Sequence, residues 1–127
     1  MKVKTFELSG RALDFAVASS MGLRLKIEGG DFWNVSKSGD FWDRCDYSGS
    51  WILCGRLIES ELISCYASIN PEDETVYHWC AVKEVSDYRK RRGFTDSDPK
   101  VAICRAVVSA KIGDEVEIPD ELMEVKG

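Results

Sequence analysis

The sequence has one histidine, and its five cysteines are scattered with no Cys-x-x-Cys pair. A lone imidazole leaves little for general acid–base work. There is no Gly-x-x-x-x-Gly-Lys phosphate loop, no Gly-x-Gly-x-x-Gly and no nucleophile motif that would place a Ser/His/Asp triad. An enzyme is not expected, and no catalytic residue, metal ligand or cofactor is assigned. An apolar run of membrane-spanning length, ~18–20 residues, is also missing, and Met1 to Glu7 carries no apolar stretch. Basic excess is missing too: 17 Lys and Arg stand against 22 Asp and Glu, a net charge of −5. Nucleic acid is therefore disfavoured as a partner, and a membrane is not expected.

What is present is ordinary globular composition, 44% hydrophobic and 31% charged over 127 residues, which predicts one domain over 1–127 with one core and no need of a staple. Cys45, Cys54, Cys65, Cys80 and Cys104 fit reduced, largely buried thiols in a cytosolic chain. His78 and Cys80 would share a strand face, but nothing supplies further metal ligands at a suitable spacing, and His78 fits a structural histidine.

The strongest element is a closing helix. Asp98 offers an N-cap, Pro99 a first helical position that needs no N–H, and Gly113 a left-handed stop. A first amphipathic helix runs from Gly10 to Met21, with Leu13, Ala16, Val17 and Met21 at helical spacing before Gly22. Leu23–Glu28 and Asp31–Val35 flank Gly29-Gly30 as a hairpin. Gly-Asp-Phe-Trp occurs at Gly30–Trp33 and again at Gly39–Trp42, predicting a meander with Phe32 and Phe41 on one face and Trp33 and Trp42 on the other. Ser50 caps a short middle helix with Trp51, Cys54 or Gly55, and Ile58 on one side. Leu62–Ile69, a turn over Asn70–Glu74, and Thr75–Val82 predict the hairpin at the sheet's centre. Glu84–Asp98 reads as a long loop, and Val116 and Ile118 as an edge segment. The expected fold is α+β: an antiparallel sheet of four or five strands sandwiched between the N-terminal and C-terminal helices, with the short middle helix at an edge.

Two constellations stand out. Arg89, Lys90, Arg91 and Arg92 are four consecutive cations in an acidic chain, just upstream of the closing helix. Arginine forks and free N–H groups at a helix start both suit phosphate. A ligand site is expected at Arg89, Arg91, Arg92 and Thr95, with Tyr88 and Trp79 stacking on a base and Phe94 as a further aromatic. The competing reading is a solvated charge run balanced by Asp96, Asp98 and the tail. That tail, Asp114 to Glu124, holds six acids in eleven residues, which helix stability does not explain. With Trp33 and Trp42, the residues Asp114, Glu115 and Glu117 form a candidate protein interface.

Leu8-Ser-Gly-Arg-Ala-Leu-Asp-Phe-Ala-Val-Ala18, Trp51 with Gly55 and Ile58-Glu59, and Val101 to Leu122 together resemble the NinX-like phage proteins. The opening Gly-Arg-x-Leu-Asp and the closing Ala-Ile-Cys-Arg-Ala, Ala102 to Ala106, are also similar to a wider group of phage proteins with an alpha-beta-alpha sandwich. The chain departs from the family before its last helix, where Gly93-Phe-Thr-Asp-Ser-Asp-Pro99 replaces the usual Gly-x-Thr-Pro start. The resemblance implies a phage or prophage origin, hence action in the host bacterial cytosol, and no established enzymatic chemistry. The expected function is a non-enzymatic phage accessory protein that binds, sequestering a nucleotide-like host defence signal. The alternative is an inhibitor that binds a host protein through its acidic and aromatic surface, and a third reading is a structural homo-oligomer.

Overall fold

A computed structural model of the chain describes residues 1–69, 71–73 and 77–123, without the side chains of Tyr77 and Tyr88. The described elements are β1 (Lys2–Lys4), α1 (Gly10–Ser20), β2 (Leu25–Glu28), β3 (Asp31–Val35), β4 (Trp42–Asp43), α2 (Trp51–Glu61), β5 (Ile63–Ile69), β6 (Tyr77–Lys83), β7 (Gly93–Asp96), α3 (Pro99–Lys111) and β8 (Glu115–Glu117). The fold is α+β. Its strands pair antiparallel in three separate sheets, ordered β1-β8, β2-β3-β4 and β5-β6-β7.

The order of assembly centres on α3. The Asp98 carboxylate accepts the Lys100 N–H at 2.9 Å, Pro99 sits in the first turn, and Gly113 leaves the helix at a φ of 127°. Ala102, Ile103, Cys104, Ala106, Val107 and Val108 are all buried, a spread wider than one amphipathic stripe. The cause is contact on several sides, with α1, with α2 and with the β5-β6-β7 sheet. On α1 the buried positions include Ala12 and Ala16, one turn apart, whose small side chains let the two helices approach. Ser50 caps α2 by accepting the Leu53 N–H at 3.3 Å, and Cys54 and Leu57 face inward.

Two arginines from the family-like segments lock the elements together. The Arg11 guanidinium donates to Asp31 at 2.8 Å, to Asp14 at 3.1 Å, and to the Cys45 and Phe32 carbonyls at 2.6 and 3.2 Å, while lying 4.2 Å from the Phe32 ring centre. Asp14, almost wholly buried, also accepts the Ser48 N–H at 2.7 Å. One side chain thereby ties α1 to β3 and to the segment before α2. Arg105 does the same for α3, donating to the Leu8 carbonyl at 2.9 Å and to Asp96 at 3.2 Å. Burial pushes the Asp14 carboxyl up from its ordinary value, against the pull of Ser48 and Arg11. For Asp31 burial also acts upward, but the Phe32 N–H, Arg11 and Arg44 outweigh it and hold the carboxyl below its ordinary value.

Several expectations need correction. The strands divide among three sheets where one of four or five strands was expected, and α1 meets α3 directly. Glu84–Asp98 is no continuous loop: β7 lies within it and completes the sheet beside β6. Lys2–Lys4, unassigned from sequence, pairs with β8, Val3 opposite Val116 and Lys4 opposite Glu115. Phe41 lies outside β4 and is 74% exposed, so it does not join Phe32, which is buried edge-on against Phe15. Trp51 is also exposed, because Cys54 and Leu57 take the inner side of α2. The expected turn over Asn70–Glu74 and the start of its partner strand at Thr75–Val76 fall partly outside the described residues.

Candidate anion-binding site

Strand alternation governs where the basic run goes. In β6 and β7, Ala81 and Phe94 are paired and buried toward α3. Side chains two residues away lean to the same face. Lys83 is two beyond Ala81, and its ammonium donates to the Glu61 carbonyl at the end of α2. Arg92 is two before Phe94, with its guanidinium 5.6 Å from the Phe94 ring centre and ion-paired with Asp114, just past α3. Arg91 alternates to the other side and meets Glu84 at 2.7 Å. Hydrogen bonds from Ser64 and then Arg91 hold the Glu84 carboxyl below its ordinary value.

Lys83, Lys90 and Arg92 line a cleft of about 360 Å3. Its floor and wall are Phe94 with Ala106, Ser109 and Ala110 from the C-terminal half of α3. Asp114 is the one carboxylate in the lining. It pairs with Arg92, whereas neither Lys83 nor Lys90 has a carboxylate partner among the described residues. The cleft therefore carries excess positive charge in a chain whose net charge is −5. A site of this volume lies within the usual ~300–1,000 Å3 range for small-molecule pockets.

Only part of the predicted ligand site comes together here. Arg92 lines the cleft, as does Lys90 from the same run. Arg91 turns away to Glu84, and Arg89 is 93% exposed beside Asp87. Thr95 points to the face opposite Phe94, paired with Cys80, and Trp79 pairs with Asp96 beyond the cleft. The side chain of Tyr88 lies outside the described residues. The cleft also leaves out the α3 N-terminus: β7 carries the chain ~13 Å, at ~3.3 Å per residue, from the arginines to Asp98. The cleft consequently sits against the C-terminal half of α3, and at the other end Asp98 caps the helix and pairs with Lys100 at 3.2 Å. Sequence reasoning missed Lys83. Its position two residues after Ala81 in a strand was the available signal.

The proposed interface residues separate into two places. Trp33 and Trp42 lie side by side, ring centres 6.2 Å apart, with the Lys26 ammonium 4.6 Å from the Trp42 ring centre. Asp114, Glu115 and Glu117 belong to or adjoin β8, on a different sheet. Glu117 binds the N-terminal amine at 3.0 Å, and that hydrogen bond is the main cause of the amine's raised pKa. Among the described residues no helix is long and apolar enough to cross a membrane.

No curated protein matches the chain. The model of the family described as Bacteriophage P22, NinX matches residues 4–111, ending at the last residue of α3. The matched span includes both arginine-centred segments, Gly10 to Asp14 and Ala102 to Ala106, whose Arg11 and Arg105 hold the fold together. Since the match covers the greater part of the sequence, the chain belongs to the Bacteriophage P22 NinX family.

Proposed function

We propose that this protein is a non-enzymatic phage accessory protein that acts in the host cytosol by binding a small phosphate-bearing, nucleotide-like ligand, and so sequesters a host defence signal of that class. The observation that carries this reading is the cleft lined by Lys83 and Lys90, neither paired with a carboxylate among the described residues, and by Arg92, which lies over Phe94. Ammonium groups attract phosphate as point charges, and the guanidinium adds a planar fork once it exchanges Asp114 for a ligand oxygen. Titration calorimetry with pyrophosphate, cyclic dinucleotides and ADP-ribose tests it. Binding that weakens with added salt and is lost in Lys90→Glu supports the reading; absence of heat with every ligand would sink it.

A second reading, an inhibitor of a host protein, is favoured by the aromatic surface of Trp33 and Trp42 beside the exposed Phe41. Exposed aromatic patches commonly mark interfaces. A partner recovered from bacterial lysate by the wild type and not by the Trp33→Ala, Trp42→Ala double variant would support it. Equal recovery by both would count against it.

A further inference from the structure

A second cleft, of about 290 Å3, adjoins the first at the Arg92–Asp114 pair, which lines both. It shares Arg92, Phe94 and Asp114 with the first cleft and adds Lys4, Thr5, Phe6 and Glu115. The two differ in charge. In the first, three cations face one carboxylate; in the second, Lys4 and Arg92 are matched by Asp114 and Glu115. Lys4 and Glu115 are direct cross-strand partners in the β1-β8 sheet, which fixes this balance in the fold. A balanced cleft gives no net attraction for a second phosphate.

It does suit a flat, uncharged ring. Phe6 is a large aromatic left 54% exposed on the short turn between β1 and α1, with the Lys4 ammonium 5.9 Å from its ring centre. Bases stack on such rings whatever their identity. The carboxylates add discrimination, because Asp114 and Glu115 are acceptors only and reward a ring edge that presents N–H donors. A carboxylate with two oxygens matches two adjacent donors best, the arrangement of the N1–H and 2-amino groups of guanine. Both partners of the Arg92–Asp114 pair are more than half exposed, so a ligand can pass over it from one cleft to the other.

We infer that the two clefts form one bipartite site, the first taking the phosphates and the second the base of a guanine nucleotide stacked on Phe6. This inference rests on the anion-binding reading of the first cleft. Titration calorimetry with pyrophosphate, guanosine diphosphate and inosine diphosphate, on the wild type and Phe6→Ala, separates the two claims. Guanosine diphosphate is expected to bind about tenfold tighter than pyrophosphate, a modest return for one stacked base. Phe6→Ala should erase that advantage while leaving pyrophosphate binding unchanged, which also reports that the variant is folded. An advantage that survives Phe6→Ala, or none in the wild type, overturns the base site. Equal binding of the guanosine and inosine diphosphates, which differ by the 2-amino group, overturns the assignment to guanine. If pyrophosphate itself gives no heat, the failure belongs to the first cleft.

Discussion

Replacing Arg11 with methionine keeps an aliphatic stem but removes the guanidinium that joins α1 to β3 and the segment before α2. Four acceptors lose a donor: Asp14, Asp31 and the Cys45 and Phe32 carbonyls. Asp31 retains Arg44 at 3.1 Å and the Phe32 N–H, so its loss is the smaller one. Asp14 retains only Ser48, through its N–H and its side chain, and its own side chain is 2% exposed. Removing one partner of a buried pair costs about 3–5 kcal/mol, because the other charge stays buried. That is a large fraction of the ~5–15 kcal/mol that holds a typical domain folded. Urea unfolding followed by circular dichroism is the assay. Two further outcomes bear on the cause. Arg11→Met in an Asp14→Asn background should cost less than in the wild type by about 1 kcal/mol or more, since neighbours in one network couple. The loss should also shrink at acid pH. Arg11 pulls the Asp14 pKa down against burial, so the variant raises that pKa further above its unfolded value. A carboxyl with a raised folded pKa favours folding when protonated, and that contribution is lost as pH climbs through the folded pKa. A cost below about 1 kcal/mol at neutral pH, the level of an exposed ion pair, would refute the structural role assigned to Arg11.

Three other outcomes are expected. Asp98→Ala should lower stability by about 1 kcal/mol through loss of the α3 cap, measured by urea unfolding, and no change would mean the Lys100 N–H finds another acceptor. Ala16→Leu should cost about 1–3 kcal/mol by forcing α1 away from α3, whereas a neutral result would mean there is room at that fully buried position. Asp31 has a lowered folded pKa, so its contribution is present above the unfolded carboxyl pKa and is lost as pH falls through the folded value. Asp31→Asn should therefore flatten the acid limb of the stability curve, and an unchanged limb would speak against that shift.

The elements legible in the sequence were those with local signals. Asp98-Pro99 and Gly113 bracket α3, Gly29-Gly30 turns the β2-β3 hairpin, and the repeated Gly-Asp-Phe-Trp gives the meander. β1 and β7 were illegible because each is too short for its alternation to register: Lys-Val-Lys and Gly-Phe-Thr-Asp carry one apolar side chain apiece. They are strands because β8 and β6 supply their hydrogen bonds, a long-range cause. Missing β7 displaced the site. With Glu84–Asp98 read as a loop, the arginines could reach the α3 N-terminus; as a strand, β7 holds them at the opposite end. Arg91 and Arg92, leading into that strand, go to different partners, and the pairing of β7 with β6 brings Lys83, the last residue of β6, into the cleft. Arg11 and Arg105 were visible as family-like residues, but their structural work depends on Asp31, Cys45 and Leu8, which only the folded chain brings near.

The most direct measurement is calorimetric titration of pyrophosphate into the wild type and into Lys90→Glu, at about 0.05 M and again at about 0.5 M salt, which shortens the screening length to a few ångströms. Saturable binding by the wild type at low salt, weakened at high salt and absent in the variant, is expected if the cleft beside Phe94 is an anion site. Equal binding by both proteins, or no heat from the folded wild type, would contradict it.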